Sequence, residues 1–164
     1  MNITLSICVP IYNELEYIER LISSIQSNKS LNFEVVISDN HSNDGTYETI
    51  KSINDSRFRI VQPIRKLSPH HNHWFSFANS RGNHIYFIGG DDYFEDGIID
   101  YVLPYLNNKK IIIGGMRSFN NHDGTTIAIR NKKEFLLKEI FNGKNFIKNS
   151  LNQINHDEIL FAFV

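Results

Sequence analysis

The sequence contains little cysteine, no long apolar run and almost no net charge. Its 164 residues include one cysteine, Cys8, inside a short apolar run; this excludes a disulfide framework and favours a reducing compartment. No stretch approaches the roughly 20 apolar residues that span a bilayer, and the first residues lack a basic segment followed by a long apolar one. Lys and Arg total 17 and Asp and Glu total 18, so the formal charge of -1 creates no overall field that recruits nucleic acid or an anionic membrane. We therefore expect a soluble, cytoplasmic protein that binds anions through local groups and does not bind nucleic acid.

Apolar patterning predicts an alternation of strands and helices. Short runs typical of strands cover residues 5–9, where Pro10 should stop the strand, and residues 33–37, 58–61, 85–88 and 111–113. Apolar residues recur at helical spacing over residues 15–25, 46–53, 74–78 and 98–106. This order indicates βαβ crossovers, and therefore an α/β fold with a mostly parallel sheet flanked by helices.

The rest of the chain predicts a small hairpin and further helix. Asn121-His122-Asp123-Gly124 is a turn signal between the strand-like flanks of residues 116–129, and residues 132–150 have helical spacing with a break near Gly143. Because the chain has the length of one ordinary domain and no linker or repeat, we expect a single domain over residues 1–164. Its last residues are apolar, so we expect a chain truncated at the C-terminus.

Asp91 and Asp92 are adjacent carboxylates that follow a strand-like run and two glycines, Gly89 and Gly90. The carboxyl end of such a strand is where open α/β sheets bind ligands. Two acidic side chains there repel each other and lose solvation, so they need a compensating cation or hydrogen-bond donors. Mg²⁺ or Mn²⁺ bound together with phosphate would meet this need. Capping of the helix predicted near Ile98, or shaping of a turn, is the alternative, and these residues alone leave both open.

Two further polar loops follow predicted strands. The first is Pro10-Ile11-Tyr12-Asn13-Glu14, and the second runs from Asp39 to Thr46 as Asp-Asn-His-Ser-Asn-Asp-Gly-Thr. The carboxyl ends of parallel strands meet at one edge of the sheet. We therefore expect both loops to lie beside the acidic pair.

These three ordered motifs make the chain resemble the glycosyltransferases of family 2, whose fold is called GT-A. Their first strand ends in a hydrophobic-Pro-x-Tyr-Asn-Glu pattern, matched by residues 9–14. Their second ends in Asp-Asp-Gly-Ser-Thr-Asp-Gly-Thr, matched by residues 39–46 with Asn40, His41 and Asn43 as departures. A small residue or Asp before Asp-Asp is matched at Gly90. The resemblance covers roughly residues 6–106, and three motifs in order are far more specific than one.

The resemblance implies a nucleotide-sugar site. Tyr12 would stack on the nucleobase, and Asp39 would accept a hydrogen bond from a base N–H such as that of uracil. Asp91 would be a catalytic residue, because it would be the main ligand of the Mn²⁺ or Mg²⁺ that binds the diphosphate. Asp92 would support that metal or contact the sugar or ribose. The donor- and cofactor-binding set that we expect is Pro10, Tyr12, Asn13, Glu14, Asp39, Asn40 and Asp92. The alternatives are a core aromatic role for Tyr12 and a turn-forming role for Asp39.

An inverting transfer also needs a general base for the acceptor hydroxyl. The resemblance implies an acidic residue well after the metal motif, and His156-Asp157-Glu158 is the only acidic cluster late enough. Asp157 is our candidate. The alternative is that Asp157 and its neighbours cap a helix that continues into the apolar end.

Several residues depart from the family pattern or lie outside it. Many relatives have Asp at the position of Gly89, so one carboxylate is missing here. Trp74 stands where relatives commonly have Asn, with Asn72 nearby, and we interpret Trp74 as packing. The loop containing His70, His71 and His73 lacks a partner with zinc-like spacing, which favours a surface segment over a metal site. Arg65, Lys66 and Arg81 are candidate diphosphate contacts, with solvated surface charge as the alternative.

The resemblance implies an inverting, metal-dependent transferase that moves a sugar from a UDP-sugar to a glycan or polyprenyl-linked acceptor. It also implies peripheral association with the inner face of the membrane, through residues beyond Val164. A nucleotidyltransferase would need a Gly-rich basic loop after the first strand, and a receiver-like domain would need an acidic pair there; residues 10–13 supply neither. A further alternative is a fragment that binds the donor but does not transfer the sugar.

Overall fold

The computed structural model describes residues 3–106, 116–120 and 123–130. The strand predicted at residues 111–113, the helix predicted at residues 132–150 and Asp157 lie outside the described residues. By its internal contacts the chain divides into two units, Met1–Tyr105 and Leu106–Val164, which are described separately.

The first unit contains four strands and four helices in alternating order. The strands are β1 (Leu5–Ile11), β2 (Phe33–Asp39), β3 (Phe58–Val61) and β4 (His84–Phe87). The helices are α1 (Ile18–Gln26), α2 (Thr46–Lys51), α3 (Pro69–Ala78) and α4 (Ile98–Val102), the last followed by a 3₁₀ turn at Leu103–Tyr105. All described strand pairs in this unit are parallel, in the order β3-β2-β1-β4. The predicted α/β fold with a parallel sheet is confirmed.

The core lies on the two central strands. Every residue of β2 is buried, as are all residues of β1 except Pro10, as expected for strands covered on both faces. Cys8 is fully buried, and burial raises the pKa of its thiol to about 12, so it is a packing residue of the core. Helix α3 contacts both central strands through a narrow buried face that contains Asn72 and Ser76.

Two element boundaries differ from those predicted. Strand β1 continues through Pro10 to Ile11, because a proline removes only its own N–H and the carbonyl of Ile11 still accepts from Asn40 N at 2.9 Å. Helix α3 begins at Pro69 rather than near Trp74. Its N-cap is Ser68, whose hydroxyl accepts from His71 N at 3.3 Å, and Pro69 occupies the first turn, where its missing N–H is harmless.

The second unit contains a β-hairpin among its described residues. Strands β5 (Met116–Phe119) and β6 (Thr126–Arg130) pair antiparallel, and Gly124 takes a φ of +69° in the connection. The hairpin predicted from the Asp123-Gly124 signal is confirmed. Within residues 3–106, 116–120 and 123–130, every helix is too short to cross a bilayer.

Candidate functional site

The carboxyl ends of the four parallel strands bring three of the predicted motifs to one edge of the sheet. Ile11 at the end of β1 pairs with Asp39 at the end of β2, and Ser38 pairs with Val61 of β3, so Gln62 follows beside Asp39. On the other side of β1, Cys8 pairs with Phe87, and the acidic pair follows after three more residues. Tyr12, Asp39 and the acidic pair therefore occupy the same edge, as predicted.

Asp39 is fully buried, although it lies at this edge. Both carboxylate oxygens accept from the backbone N–H of Ser42 at 3.3 Å, which makes Asp39 a turn-former, the alternative that the sequence left open. Its Oδ2 also accepts from the side-chain amide Nε2 of Gln62 at 2.9 Å. Asp39 is thus a hydrogen-bond acceptor at the edge, and the exposed side chain of Gln62 is bonded to it.

Asn40 and His41 attach the segment after β3 to the end of β2. Asn40 Nδ2 donates to the carbonyl of Leu67 at 2.9 Å, and Leu67 N donates back to Asn40 Oδ1 at 2.8 Å. His41 has a φ of +62°, and its Nε2 lies 2.9 Å from the carbonyl of Pro63. Asn40 is therefore structural in this state: its amide is buried and both of its polar atoms are bonded.

Tyr12 projects from the end of β1 with 38% of its surface exposed, so it is not a core aromatic. The Nζ of Lys66 lies 3.4 Å from the centre of its ring, a cation–π contact. One face of Tyr12 is therefore covered by an exposed cationic side chain. Lys66, a candidate diphosphate contact, lies over this predicted base-stacking residue.

The loops after β1 and β2 are joined by reciprocal hydrogen bonds. Asn13 N donates to Ser42 Oγ at 2.9 Å, and Asn43 N donates to Asn13 Oδ1 at 2.9 Å. Glu14 N donates to the hydroxyl of Thr46 at 2.9 Å. Asn13 takes a φ of +57°, which the side-chain bond to the second loop holds in place. The predicted binding residues Asn13 and Glu14 thus fix the loop that presents Tyr12.

Asp91 and Asp92 lie near Glu14 and form an acidic cluster with it. Burial raises the pKa of the Glu14 carboxyl, and the charges of Asp91, Asp44 and Asp92 raise it further. Burial, and then the charge of Asp91, raises the pKa of Asp92. Like charges so close together repel one another and favour the binding of a cation.

Gly89 and Gly90 make room for this cluster. A Cβ on Gly90 would lie 2.7 Å from Glu14 Cγ and 2.9 Å from Ile11 Cγ2, so any side chain there would push the loop away from β1. A Cβ on Gly89 would lie 2.6 Å from Asp91 Oδ1. The carboxylate of Asp91 therefore occupies the space beside the position where many relatives have their extra aspartate.

Arg20 of α1 holds the backbone of the acidic pair. Its Nη2 donates to the carbonyl of Asp91 at 3.0 Å, and its guanidinium lies 4.6 Å from the centre of the Tyr93 ring. The positive charge of Arg20 also lowers the pKa of Asp92, against the larger effects of burial and Asp91. The sequence pattern did not identify Arg20, because it lies on a helix with no motif around it.

Asn72, which lies near the position where relatives commonly have Asn, is a second residue to which the sequence pattern assigned no role. Its Nδ2 donates to the carbonyls of Ser38 at 3.0 Å and Ile11 at 3.4 Å, and its Oδ1 accepts from Ser38 Oγ at 2.6 Å. This buried amide joins α3 to the last residues of β1 and β2. The available signal was a polar residue on the buried face of a helix. Because α3 was predicted to start near Trp74, position 72 was not assigned to a helix.

The aromatic and imidazole side chains of α3 contact one another. Trp74 is 45% exposed; its ring packs edge-on against Phe77, with the ring centres 5.7 Å apart, and its Nε1 donates to His70 Nε2 at 2.9 Å, so it packs at the surface rather than in the core. His71 Nδ1 lies 2.6 Å from the hydroxyl of Ser68, and His73 Nδ1 lies 2.9 Å from the carbonyl of Pro69. Across the part of the chain that the structure describes, no three His, Cys, Asp or Glu side chains are grouped to hold a metal.

Asp91 and Asp92 nevertheless fit a divalent metal that arrives with phosphate. Both carboxylates are exposed, offer oxygen ligands only and repel each other, and oxygen ligands are those that Mg²⁺ and Mn²⁺ favour. With fewer than three grouped ligands among the described residues, most of the coordination would come from phosphate and water. The donor set therefore suits a metal–diphosphate complex better than a free ion.

Comparison with known proteins gives the following matches. The family model described as Glycosyl transferase family 2 matches residues 6–161. Abequosyltransferase RfbV of Salmonella typhimurium is 33% identical over 110 residues, which are 64% of this chain and 33% of that protein. The structure of S. aureus TarS 1-349 in complex with UDP-GlcNAc has a TM-score of 0.59 and 23% identity, covering 63% of this chain and 31% of that one. The mannosyltransferase PcManGT from Pyrobaculum calidifontis, in complex with GDP-Man and Mn2+, has a TM-score of 0.55 and 17% identity, covering 75% and 37%.

The two solved structures share the fold of this chain. The chain spans about a third of the length of each of these three proteins.

Proposed function

The chain belongs to glycosyltransferase family 2, and we propose from this membership that it transfers a sugar from a UDP-sugar to a glycan or polyprenyl-linked acceptor. One observation carries the proposal. An exposed aromatic ring, a buried acceptor and an exposed acidic pair, at Tyr12, Asp39 and Asp91–Asp92, lie along one edge of a parallel sheet. This order suits a nucleoside at one end of the edge and a diphosphate at the other.

Tyr12 and Asp39 would bind the nucleoside. The exposed ring of Tyr12 offers a face to the base once Lys66 leaves it, and the released ammonium is then free to meet the diphosphate. Asp39 would determine the choice of base, because its buried carboxylate disfavours bases that present only acceptors on that side. Hydrogen bonds of Asn13, Glu14 and Asn40 keep the two loops in position, and Pro10 pairs with Ser38 of β2 just before the first loop.

Asp91, with Asp92 in support, would hold Mn²⁺ or Mg²⁺ against the donor diphosphate. When bound, the metal supplies Lewis-acid stabilisation of the charge that develops on the departing nucleoside diphosphate. The protein contributes by fixing the position of the loop that carries the two carboxylates. Gly90 keeps the loop close to β1, and Arg20 binds the Asp91 carbonyl.

We further propose that the transfer inverts the anomeric centre, with Asp157 as the base that accepts the proton of the acceptor hydroxyl. We also propose that residues 1–164 act as one domain in the cytoplasm, at the inner face of the membrane. The configuration of the product, read from the anomeric coupling constant by NMR, tests the stereochemical part.

Isothermal titration calorimetry with UDP tests the central proposal. We expect binding in the presence of Mn²⁺, and a loss of at least about tenfold in affinity in Asp91→Ala, since a charge-assisted contact is worth roughly 1.5–3 kcal/mol. Asp96→Ala is the matched control, because Asp96 is an exposed aspartate five residues further along the chain. Absence of nucleotide binding, or equal binding by wild type and Asp91→Ala, contradicts the proposal.

A second candidate function is donor binding without transfer. It is favoured by the span of the chain, which is about a third of the length of each relative described above. Release of UDP from UDP-sugars separates the two functions. Turnover, including slow hydrolysis, supports the transferase, whereas binding of UDP-sugar with no release supports the donor-binding fragment.

A further inference from the structure

Helix α3 has polar residues against the sheet and aromatic residues in solvent. Its buried residues are Asn72 and Ser76, whereas Trp74 and Phe77 are exposed. Because each residue turns a helix by about 100°, Trp74 lies about 200° around the helix from Asn72 and faces away from the sheet. This arrangement is the reverse of the usual one, in which a surface helix turns its apolar side to the core.

The side of α3 that faces away from the sheet is a continuous surface of rings. The indole of Trp74 lies edge-on to Phe77 and to His70, with ring centres 5.7 Å and 6.2 Å apart. These three residues are spaced by four and three along the helix, so they share one face, which we call the α3 outer face. The indole N–H donates to His70, so the face combines apolar rings with polar groups.

The segment that carries the α3 outer face lacks acidic residues. Residues 56–90 contain no Asp or Glu, although the whole chain has 18 of them, and they contain five Lys or Arg residues. Two of the five form salt bridges with acidic side chains. The other three, Arg65, Lys66 and Arg81, are exposed. A local excess of positive charge of this kind attracts an anionic surface, although the net charge of the chain is -1.

Exposed cations stand on both sides of α3 along the chain. Arg65 lies in the connection that precedes the helix, next to Ile64, whose side chain is fully exposed. Arg81 follows the helix, and its backbone N–H donates to Glu34 Oε1 at 2.6 Å. Since Glu34 is at the amino end of β2, Arg81 lies at the opposite edge of the sheet from the acidic pair. Arg81, a candidate diphosphate contact from the sequence, is therefore placed to meet a different anion.

We propose that the α3 outer face, together with Arg65 and Arg81, is a docking surface for an anionic lipid bilayer. Exposed Trp and Phe rings combined with Lys or Arg are the chemistry by which a helix lies in a membrane interface. The bilayer supplies an apolar boundary for the rings and phosphate headgroups for the cations.

This surface deepens the proposed function, and its consequence for the acceptor rests on that function. Asn72 Nδ2 donates to the carbonyls of Ile11 and Ser38, at the ends of β1 and β2. These bonds hold α3 to the edge of the sheet where we place the nucleotide. A bilayer against α3 would then lie beside that edge, and a polyprenyl-linked acceptor could reach it from the membrane.

Trp74 makes the test specific, because it is the only tryptophan of the chain. The 164-residue chain is mixed with vesicles of phosphatidylcholine, or of an equimolar mixture of phosphatidylcholine and phosphatidylglycerol, and binding is measured by co-sedimentation. We expect the anionic mixture to bind at least about tenfold more tightly, and added salt to weaken that binding. The emission of Trp74 should shift to shorter wavelength and be quenched by brominated lipid.

Two variants and a matched control locate the contact. The double variant Trp74→Ser, Phe77→Ser should bind the anionic vesicles at least about tenfold more weakly, and Arg81→Gln about threefold to fivefold more weakly. The control is Tyr101→Ser, Tyr105→Ser, which should bind as wild type. These two tyrosines also contact each other, and their exposures of 49% and 46% are close to the 45% and 37% of Trp74 and Phe77. Thermal unfolding checks that each variant is folded.

Absence of binding to the anionic vesicles overturns the inference. Binding that leaves the Trp74 emission unchanged also overturns it, because the lipid then contacts another part of the chain. Equal binding to both kinds of vesicle contradicts the role of charge and overturns it as well. A shift in Trp74 emission with protein concentration, in the absence of vesicles, assigns the face to a second copy of the chain and has the same effect.

Titration with UDP and Mn²⁺ is a separate measurement. A chain that binds UDP but no vesicles leaves the proposed sugar transfer standing and overturns only the docking surface. A chain that binds anionic vesicles through Trp74 but no UDP supports the docking surface and contradicts the proposed transfer.

Discussion

Asn40 and His41 replace the second Asp and the Gly of the family pattern, and both replacements have a structural reason. Asparagine can donate to the Leu67 carbonyl and accept from the Leu67 N–H, whereas an aspartate could only accept. His41 adopts the left-handed φ of +62° that a glycine would take without strain, and its ring reaches the carbonyl of Pro63. With these two replacements the loop accepts a strained backbone at His41 and gains hydrogen bonds to the segment after β3.

His41 therefore provides a test of backbone strain. His41→Ala loses the ring contact and keeps the strained φ, whereas His41→Gly loses the contact and removes the strain. We expect His41→Gly to be more stable than His41→Ala by about 1 kcal/mol, measured by urea unfolding. Equal stability of the two variants would show that position 41 leaves the left-handed region.

Residues that carry a charge or belong to a motif could be identified from the sequence. Residues that reach the site only through the register of strand pairing could not. Tyr12, Asp39, Asp91 and Asp92 could be proposed from the sequence because each follows a strand-like run. Gln62 was missed, since only the pairing of β2 with β3 places it beside Asp39. Tertiary placement of this kind has no local signal.

At the scale of elements, boundaries were predicted well where apolar patterning decides them. Strand β3 was predicted at the residues that it occupies, Phe58–Val61. Helix α3 was predicted five residues late, because its first turn is polar and is defined by the Ser68-Pro69 cap rather than by apolar spacing. Capping chemistry would have located its start.

The beginning of β3 is tied to the turn between α1 and β2 by Asp55 and Arg57. The guanidinium of Arg57 donates to both oxygens of Asp55, at 3.0 Å and 2.6 Å, and also to the carbonyl of Ser30 at 3.2 Å. Hydrogen bonding from Arg57 lowers the pKa of the Asp55 carboxyl. Both side chains are largely buried, with 14% and 10% exposure, so solvent screens this pair only weakly.

Asp55→Asn should destabilise the protein by about 1–3 kcal/mol at pH 7, because it removes a charge-assisted pair. Since the folded pKa of Asp55 lies below its unfolded value, this stabilisation is present above about pH 4 and is lost as the pH falls further. The unfolding free energies of wild type and Asp55→Asn should therefore converge in acid. Asp96→Asn, an exposed aspartate, is the control; a gap independent of pH contradicts the assignment.

At the scale of the whole molecule, the expectation of one domain over residues 1–164 stays a prediction. One domain would unfold in a single transition, with equal calorimetric and van't Hoff enthalpies. The residues of the proposed nucleotide site all belong to the first unit, so the response to ligand reports how far the second unit is coupled to it.

Differential scanning calorimetry with UDP and Mn²⁺ tests this coupling. Ligand at 100 times its Kd adds about 2.7 kcal/mol, which for a chain of this size raises Tm by about 5–10 °C. We expect one transition that shifts as a whole, and a much smaller shift with UDP after removal of the metal by EDTA. Two transitions, only one of which responds, would show two independent domains; an equal shift in EDTA would contradict metal dependence.

The bonds from Asn40 to Leu67 and from His41 to Pro63 have a consequence for sequence variation in the family. The hydrogen bonds among these four residues tie the end of β2 to the segment between β3 and α3, and so constrain the length of that segment. We expect them to covary: relatives that retain Asp and Gly after the β2 aspartate should differ in the length or sequence of that connection. Transplanting the pair Asn-His without the connection should then lower stability, because Asn40 and His41 form their hydrogen bonds with that connection.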